Sequence, residues 1–355
     1  MYIFCGATMH HLEWIHSEHM IEHLAEYGLV FLLFTLGLEF SLPKLIRLKG
    51  KVFGLGLLQV GAVSSALAII LLFLGLPFVT AIVCAVGLAF SSTAILIKEL
   101  KKKNKLNSEV GERVVAILLF QDLVAMAILL ILPCIPNAEG DVFFKSLFFA
   151  LTKGILLFAI LMAVGQWVLP RVLNEISASE SDELFVLVTL VISLAAAWLT
   201  DKLGLSMALG GFLIGMMLAE SKHAHQVEKE IRPFRDLLLG VFFVSIGMKV
   251  DLGLLLTDGL NIFVFACALV LIKAVSMMFV LKLRGNTNRN SFELSLYLAQ
   301  GGEFGFAILS LATSYELISV DGASQYLSII ILSMACSPVM FYVLKLLDPK
   351  AKTAS

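Results

Sequence analysis

The amino-acid sequence predicts an all-α membrane protein, a polytopic bundle of about eleven transmembrane helices. Composition, long apolar runs and internal repetition all predict this fold. Apolar residues make up 59% of the 355 residues and charged residues 15%, with a mean hydropathy of +0.95. Soluble domains have roughly 45–50% apolar and about 25% charged residues. The net charge of -1 indicates neither a nucleic acid nor an acidic molecule as partner.

Eleven apolar segments can be counted, and a crossing of the bilayer core needs about 20 residues. Each segment is interpreted as a helix, because lipid leaves the backbone of an isolated strand without hydrogen-bond partners. The first and eighth segments are short. The segments lie near residues 25–41, 52–74, 78–97, 114–133, 142–169, 184–200, 204–219, 236–248, 259–281, 292–313 and 322–344.

Lysine and arginine predict how the bundle is oriented. Twenty-one of the 26 lie in one set of alternating loops and in the C-terminal tail, whereas the opposite loops hold only Lys145, Lys202 and Lys249. The basic side is expected to be cytoplasmic, with the N-terminus outside. The expected domains are an extracytoplasmic segment 1–24, a transmembrane domain 25–347 and a cytoplasmic tail 348–355.

The chain also repeats itself at an offset of 210 residues, with a first repeat at 25–133 and a second at 204–344. Seven segments separate paired members, so the two repeats have opposite membrane orientation. Weak inverted repeats of this kind are typical of secondary transporters. The counterpart of the seventh segment falls largely before Met1, so we expect the first repeat to lack its leading helix, or the chain to begin late.

The third and tenth segments occupy equivalent places and share small polar residues or glycines in mid-membrane. Glycines and hydroxyls weaken helices, so two crossed, discontinuous helices are expected. Close packing of unbroken helices through small residues is the alternative. The residues of this predicted site are Ser91, Ser92, Thr93, Gly301, Gly302 and Glu303.

Asp122, Lys273 and Glu303 form the set of ionisable residues expected inside the membrane, whereas Lys153 lies near enough to one end of its segment to reach the membrane surface. A charge at that depth costs roughly 2.5–3.5 kcal/mol on insertion scales and is usually functional. Asp122 can hold a proton or a desolvated cation, and an ion pair with Lys273 would lower the cost of both charges. A static salt bridge between them is the alternative. Glu303 either binds an ion directly or braces the break in its helix.

The sequence predicts no cofactor and no resident metal ion. The five cysteines have neither zinc-site nor disulfide spacing. His16, His19 and His23 have helical spacing, which is more typical of a polar helix face than of a zinc site. No nucleophile and base pair is evident at membrane depth, so the chain is not expected to be an enzyme.

At these residues the sequence resembles the bacterial monovalent cation:proton antiporters of the Kef type, which are related to glutathione-gated potassium efflux proteins. The resemblance runs from about His19 to Leu347. It is carried by Leu-Ala-Glu-Tyr-Gly and Thr-Leu-Gly-Leu-Glu within 24–39, Ser-Ser-Thr-Ala-Ile at 91–95, Leu-Leu-Phe-Gln-Asp at 118–122, Leu-Gly-Leu-Ser-Met-Ala-Leu-Gly-Gly-Phe-Leu-Ile-Gly at 203–215, Pro-Phe-Arg-Asp-Leu-Leu-Leu-Gly-Val-Phe-Phe at 233–243 and Gln-Gly-Gly-Glu-Phe-Gly-Phe at 300–306.

The resemblance implies a sodium/proton antiporter-like fold in which Asp122 binds the cation and the proton, with Gln121 beside it. Lys273 matches the family's intramembrane lysine, which pairs with the carboxylate. Relatives are typically homodimers in the bacterial inner membrane that move a core domain against a dimer domain. Many also carry a cytoplasmic regulatory domain, and the stretch 220–235 resembles the segment through which such domains act.

The expected function is therefore exchange of K+ or Na+ for protons, with both competing for Asp122. Two alternatives stay open at this point. The chain could be a potassium efflux channel or transporter subunit that needs a separate regulatory domain. It could also be an N-terminally truncated, inactive remnant.

Overall fold

The computed structural model describes residues 2–11, 18–39, 42–137, 141–177, 181–248 and 252–346. Within these ranges every regular element is helical, as the sequence predicts. The expected tail 348–355 lies outside the described residues. In chain order the α-helices are α1 Tyr2–His11, α2 Glu18–Glu39, α3 Leu42–Lys51, α4 Leu57–Phe73, α5 Phe78–Ala89, α6 Thr93–Lys102, α7 Glu109–Ile131, α8 Asp141–Ala163, α9 Leu169–Ser177, α10 Asp182–Lys202, α11 Met207–Ala219, α12 Ala224–Met248, α13 Leu252–Leu283, α14 Asn288–Tyr297, α15 Glu303–Ser314, α16 Val320–Ala335 and α17 Ser337–Leu346.

Short irregular turns join some of these helices. A π-helical turn, Val52–Gly56, connects α3 to α4, and another, Val164–Val168, connects α8 to α9. A 3-10 stretch, Leu132–Asn137, follows α7. Such turns keep the chain helical, so each joined pair includes one predicted apolar segment, although α3 itself lies before the segment 52–74.

The chain divides into two compact units, each made of two separate stretches. The first unit comprises Met1–Pro43 and Met126–Asp251, and the second comprises Lys44–Ala125 and Leu252–Ser355. A buried apolar cluster in the second unit joins α6, α7, α13, α14 and α17; it includes Leu100, Ile117, Leu281, Tyr297 and Leu344. This cluster fixes the helices that carry the predicted site.

Length and composition support the predicted number of apolar helices. In the described ranges, six helical stretches are long and apolar enough to cross a membrane, and five shorter apolar helices accompany them. One boundary differs clearly: the eighth segment, expected at 236–248, belongs to α12, which begins at Ala224. Its first turns are charged, so hydropathy alone did not reveal that they are helical.

The two predicted helix breaks are present. The third segment is divided into α5 and α6, and the tenth into α14 and α15. The second broken helix repeats the first at the offset of the internal repeat, since Asn288 corresponds to Phe78 and Glu303 to Thr93. Unbroken helices packed through small residues are therefore excluded for these segments.

The N-terminus is helical in the region for which the sequence predicted that the first repeat lacks its leading helix or that the chain begins late. Residues 2–11, expected to lie in an extracytoplasmic segment, form α1, which packs against α12. A Cβ built on Gly6 would lie 3.0 Å from the Cα of Gly247, and one on Gly215 of α11 would lie 3.2 Å from the Cα of Gly37 in α2. Gly37 and Gly247 are themselves equivalent positions of the two repeats. Helix α1 thus takes the place of the end of the leading helix.

Candidate ion-binding site

The two breaks lie against each other in the second unit and are joined by hydrogen bonds. The hydroxyl of Ser91 donates to the carbonyl oxygen of Leu298 at 2.7 Å. The amide of Ser92 donates to the carbonyl oxygen of Gly301 at 3.1 Å. Backbone groups that the two broken helices leave unpaired are thereby partly satisfied by the opposite break.

Glycine is needed where the breaks touch. A Cβ on Gly302 would lie 2.6 Å from the carbonyl carbon and 2.7 Å from the carbonyl oxygen of Ser91. The backbone of Gly302 is extended, with φ -138° and ψ 163°, a conformation that any residue adopts. The requirement for glycine at this position is therefore steric.

Each second half-helix begins immediately after its break. Ser92 is the N-cap of α6, and its hydroxyl accepts a hydrogen bond from the amide of Ile95 at 3.3 Å. Serine is among the preferred N-cap residues, because its side chain satisfies an amide that has no partner within the helix. The Ser91-Ser92-Thr93 sequence thus follows the end of α5 and begins α6.

Lys273 of α13 is fully buried and binds the carbonyl groups of both breaks. Its Nζ lies 3.2 Å from the oxygen of Leu88, 2.6 Å from that of Phe90 and 2.7 Å from that of Gln300. Leu88 lies one residue before the end of α5. Carbonyl groups at a helix C-terminus carry partial negative charge, so the ammonium group is placed where a cation is favourable.

Glu303 places a negative charge at the N-terminal ends of the second half-helices, α6 and α15. It is buried and is the first residue of α15. Its carboxylate accepts a hydrogen bond from the amide of Ala94, in the first turn of α6, at 3.4 Å. A carboxylate is favourable at a helix N-terminus, where amides carry partial positive charge. Glu303 therefore braces the N-terminus of α6 while beginning α15.

Asp122 and Gln121 lie on α7, and both are buried. The hydroxyl of Thr93 donates to Oδ1 of Asp122 at 3.4 Å. Oε1 of Gln121 accepts a hydrogen bond from the amide of Ser91 at 2.9 Å. The first break is thereby attached to the pair of residues that the sequence singled out.

Gln59 of α4 belongs to the same network, and sequence reasoning missed it. Nε2 of Gln121 donates to Oε1 of Gln59 at 2.7 Å, and Nε2 of Gln59 donates to the carbonyl oxygen of Ala89 at 3.3 Å. The signal was the single amide side chain of α4, whose other polar residues are Ser64 and Ser65. Gln59 fixes which end of the Gln121 amide faces Ser91.

The second break is held in a comparable way. The amide of Gly301 donates to the hydroxyl oxygen of Ser333, on α16, at 2.9 Å. Gly301 is the counterpart of Ser91 in the second repeat, and the amide of Ser91 is bound by a side chain of α7. In both repeats, therefore, one amide of the break is fixed by a polar side chain of a neighbouring helix.

The structure thus brings the predicted site residues together in one unit. Lys273 links the two breaks through carbonyl oxygens, Glu303 links the second break to α6, and Thr93 and Gln121 link the first break to α7. The direct pairing of Asp122 with Lys273 stays a prediction. Carboxylate, amide and hydroxyl oxygens beside broken helices are groups that can bind a cation or a proton.

Comparison with known proteins shows the family of the chain. The family model described as "Sodium/hydrogen exchanger, transmembrane" matches residues 1–344. The protein named "Putative K(+) efflux antiporter KefB" from Alkalimonas amylolytica is 40% identical over 318 residues, which are 90% of this chain and 48% of that protein. The chain therefore spans about half the length of this relative.

A solved structure shows the same fold. The sodium proton antiporter MjNhaP1 from Methanocaldococcus jannaschii, determined at pH 8, matches with a TM-score of 0.66 and 16% sequence identity. The match covers 97% of this chain and 90% of that chain. The chain is a multi-pass membrane protein, and the resemblance to Kef-type antiporters is confirmed. It belongs to the sodium/hydrogen exchanger family.

Proposed function

We propose that this protein exchanges K+ or Na+ for protons across the membrane and that both ions compete for Asp122. Binding of a proton neutralises the carboxylate and removes its attraction for a cation, so that one ion displaces the other. Access to the site alternates between the two sides as one group of helices moves against the other, as in other transporters with inverted repeats.

One observation carries the proposal: Asp122 is a buried carboxylate bound to the start of a half-helix at the crossing. The ammonium group of Lys273 lies at the C-terminal end of a half-helix, where carbonyl groups carry partial negative charge. The carboxylate of Glu303 lies at the N-terminal end of a half-helix, where amides carry partial positive charge. These two side chains stabilise the crossing, and Asp122 is the carboxylate that titrates or binds a cation. Hydrogen bonds support the proposed site roles of Gln121, Ser91, Ser92, Thr93 and Gly301, and the close contact with Ser91 supports that of Gly302.

The proposal extends to the surroundings of the protein. We place the chain in the bacterial inner membrane with its C-terminus in the cytoplasm, because of the distribution of Lys and Arg. We also propose a homodimer. We further propose a regulatory domain or subunit acting on residues 220–235, since the match covers only 48% of the longer relative.

The test is the substitution Asp122→Asn, which keeps the shape of the side chain and removes its titration. Purified protein is reconstituted into liposomes, and proton movement is followed while a K+ or Na+ gradient is imposed. We expect exchange to fall to the rate of protein-free liposomes while insertion and oligomeric state stay normal. The matched control is Asp321→Asn, at an exposed carboxylate of α16, which should keep wild-type exchange. Exchange retained by Asp122→Asn would contradict the proposal.

A ligand-gated potassium channel is the second candidate, because the relative is named for K(+) efflux, although the same name calls it a putative antiporter. Flux through a channel is not stoichiometrically coupled to protons. In proton-tight vesicles a channel would let K+ leave only until the membrane potential stops it, whereas an antiporter would acidify the lumen directly. The two functions are therefore separated by whether acidification needs an added protonophore.

A further inference from the structure

Gln300 is a polar residue of the second break whose side chain is not explained by the contacts described so far. It is fully buried. Its carbonyl oxygen binds Lys273, and its side-chain amide contacts the hydroxyl of Ser337. The amide nitrogen is buried and has no hydrogen-bond partner in the part of the chain that the structure describes. Leaving a buried polar atom without a partner is unfavourable, so this amide needs a further explanation.

The chemistry of Ser337 decides which end of the Gln300 amide it contacts. A serine hydroxyl has a single hydrogen and can also accept hydrogen bonds. The hydroxyl of Ser337 lies within hydrogen-bond distance of the carbonyl oxygen of Met334, three residues earlier, an ordinary bond for serine in a helix. With its hydrogen used there, Ser337 can only accept from Gln300. The structure places the amide oxygen of Gln300 against this hydroxyl, so the amide must turn by half to bring its nitrogen, which can donate, to Ser337.

The same half-turn moves the amide's carbonyl oxygen to the position at which the nitrogen finds no partner among the described residues. The oxygen and nitrogen of a glutamine amide have nearly the same shape, so this rotation preserves the packing. The result is a buried oxygen with free lone pairs at the crossing. Such an oxygen can bind a water molecule or a cation.

The internal repeat indicates that packing alone does not require a polar side chain here. Phe90 is the counterpart of Gln300 in the first repeat, and the carbonyl oxygens of both bind Lys273. The side chain of Phe90 is fully buried and packs edge-on against Phe304, with ring centroids 6.3 Å apart. An apolar residue thus fills the equivalent position, and the glutamine is a difference that bears on function.

We propose that Gln300 is a cation-binding residue and that its side-chain oxygen supplies one ligand to the transported monovalent cation. This inference rests on the proposed exchange function. A bonded path joins it to the carboxylate: Gln300 to Lys273, Lys273 to Phe90, and then through Ser91 to Gln121, the neighbour of Asp122. The number and strength of the coordinating oxygens tune selectivity between K+ and Na+. Gln300 would therefore contribute to selectivity, whereas Asp122 supplies the charge.

The experiment compares Gln300→Met with wild type in proteoliposomes, with K+ and Na+ as separate substrates. Methionine has a similar length and no oxygen. Loss of one ligand is expected to raise the apparent KM for the preferred cation about tenfold. The maximal rate should stay within about twofold of wild type, and the ratio of the KM values for K+ and Na+ should change. Gln325→Met is the matched control, since Gln325 is exposed on α16; it should keep the wild-type KM.

A second measurement does not depend on transport. Cation binding stabilises the folded protein according to its concentration relative to Kd. Gln300→Met should need about tenfold more K+ or Na+ for the same rise in Tm. If this variant does not accumulate in the membrane, Gln300→Asn, whose oxygen is withdrawn by one methylene, is measured in the same way and should also raise the KM.

The inference fails if the variant that folds keeps the wild-type KM, or if only its maximal rate falls. That result, together with loss of exchange in Asp122→Asn, would refute the role of Gln300 and leave the proposed function intact. Exchange retained by Asp122→Asn would instead refute the proposed function, whatever Gln300→Met does.

Discussion

Lys273 donates a hydrogen bond to the carbonyl oxygen of Phe90, with Nζ 2.6 Å from that oxygen. Phe90 follows Ala89, the last residue of α5. The ammonium group therefore binds carbonyl oxygens at the C-terminal end of a half-helix. The same group also binds Leu88 and, from the other break, Gln300. One buried cation therefore stabilises the carbonyl side of the entire crossing.

Replacing Lys273 should destabilise the protein. Lys273→Met removes three buried hydrogen bonds and leaves carbonyl oxygens without partners, so the free energy of unfolding should fall by about 3 kcal/mol. The measurement is the apparent Tm of purified protein in detergent, together with exchange in proteoliposomes. Lys153→Met is the control, because Lys153 of α8 is exposed, and its Tm should stay close to wild type. An unchanged Tm in Lys273→Met would contradict this role.

Replacing Glu303 should weaken the amide side of the crossing. Glu303→Gln keeps the shape and an acceptor oxygen but removes the charge beside the N-terminus of α6, which is expected to cost up to about 2 kcal/mol in a buried setting. Glu303→Ala should lower the Tm further, because the amide of Ala94 loses its acceptor. Glu316→Gln, at an exposed residue after α15, is the control. Equal stability of the alanine and glutamine variants would show that the hydrogen bonds do not matter.

Gly302→Ala should disrupt the contact between the two breaks. Its Cβ would lie 2.6 Å from the carbonyl carbon of Ser91, so the backbone must shift, at about 1–3 kcal/mol for an overpacked site. Gly87→Ala is the matched control: its nearest neighbour would be an ordinary 3.6 Å away, and alanine is a better helix former. We expect Gly302→Ala to lower both Tm and exchange and Gly87→Ala to preserve them. A lower Tm and slower exchange in Gly87→Ala than in Gly302→Ala would contradict the close contact between the two breaks.

The paired contacts of the first unit can be tested in the same way. Gly6→Ala and Gly215→Ala should each lower the Tm, because the added Cβ would press on the backbone of Val244 and of Phe34, respectively. Gly154→Ala should be milder, since its Cβ would meet only the side chain of Leu130, at 3.2 Å. If Gly6→Ala leaves the Tm unchanged while Gly215→Ala lowers it, α1 does not act as the counterpart of α11.

Much of the fold followed from patterns that the sequence displays directly. Hydropathy located the eleven segments because each must present an apolar surface, and the constant offset between the repeats paired the two broken helices. Hydropathy failed where helices are short or charged. The first turns of α12 carry several charges, and α1 is too short to resemble a crossing.

The site was predicted in part. Asp122, Lys273 and Glu303 stood out because charges are costly within apolar segments. Gln59, Ser333 and Ser337 did not, since a single neutral polar residue in a helix is common and only the fold shows what it contacts. The sequence also could not show that Lys273 binds three backbone carbonyls, because main-chain acceptors leave no trace in residue identities.

The central claim is tested most directly by proton movement driven by a cation gradient. Proteoliposomes loaded with K+ or Na+ and a pH-sensitive dye are diluted into medium free of that cation, without protonophore. The account predicts rapid acidification of the lumen by wild-type protein and none above protein-free liposomes by Asp122→Asn. Acidification that appears only after a protonophore is added, or that persists in Asp122→Asn, would contradict cation:proton exchange at this carboxylate.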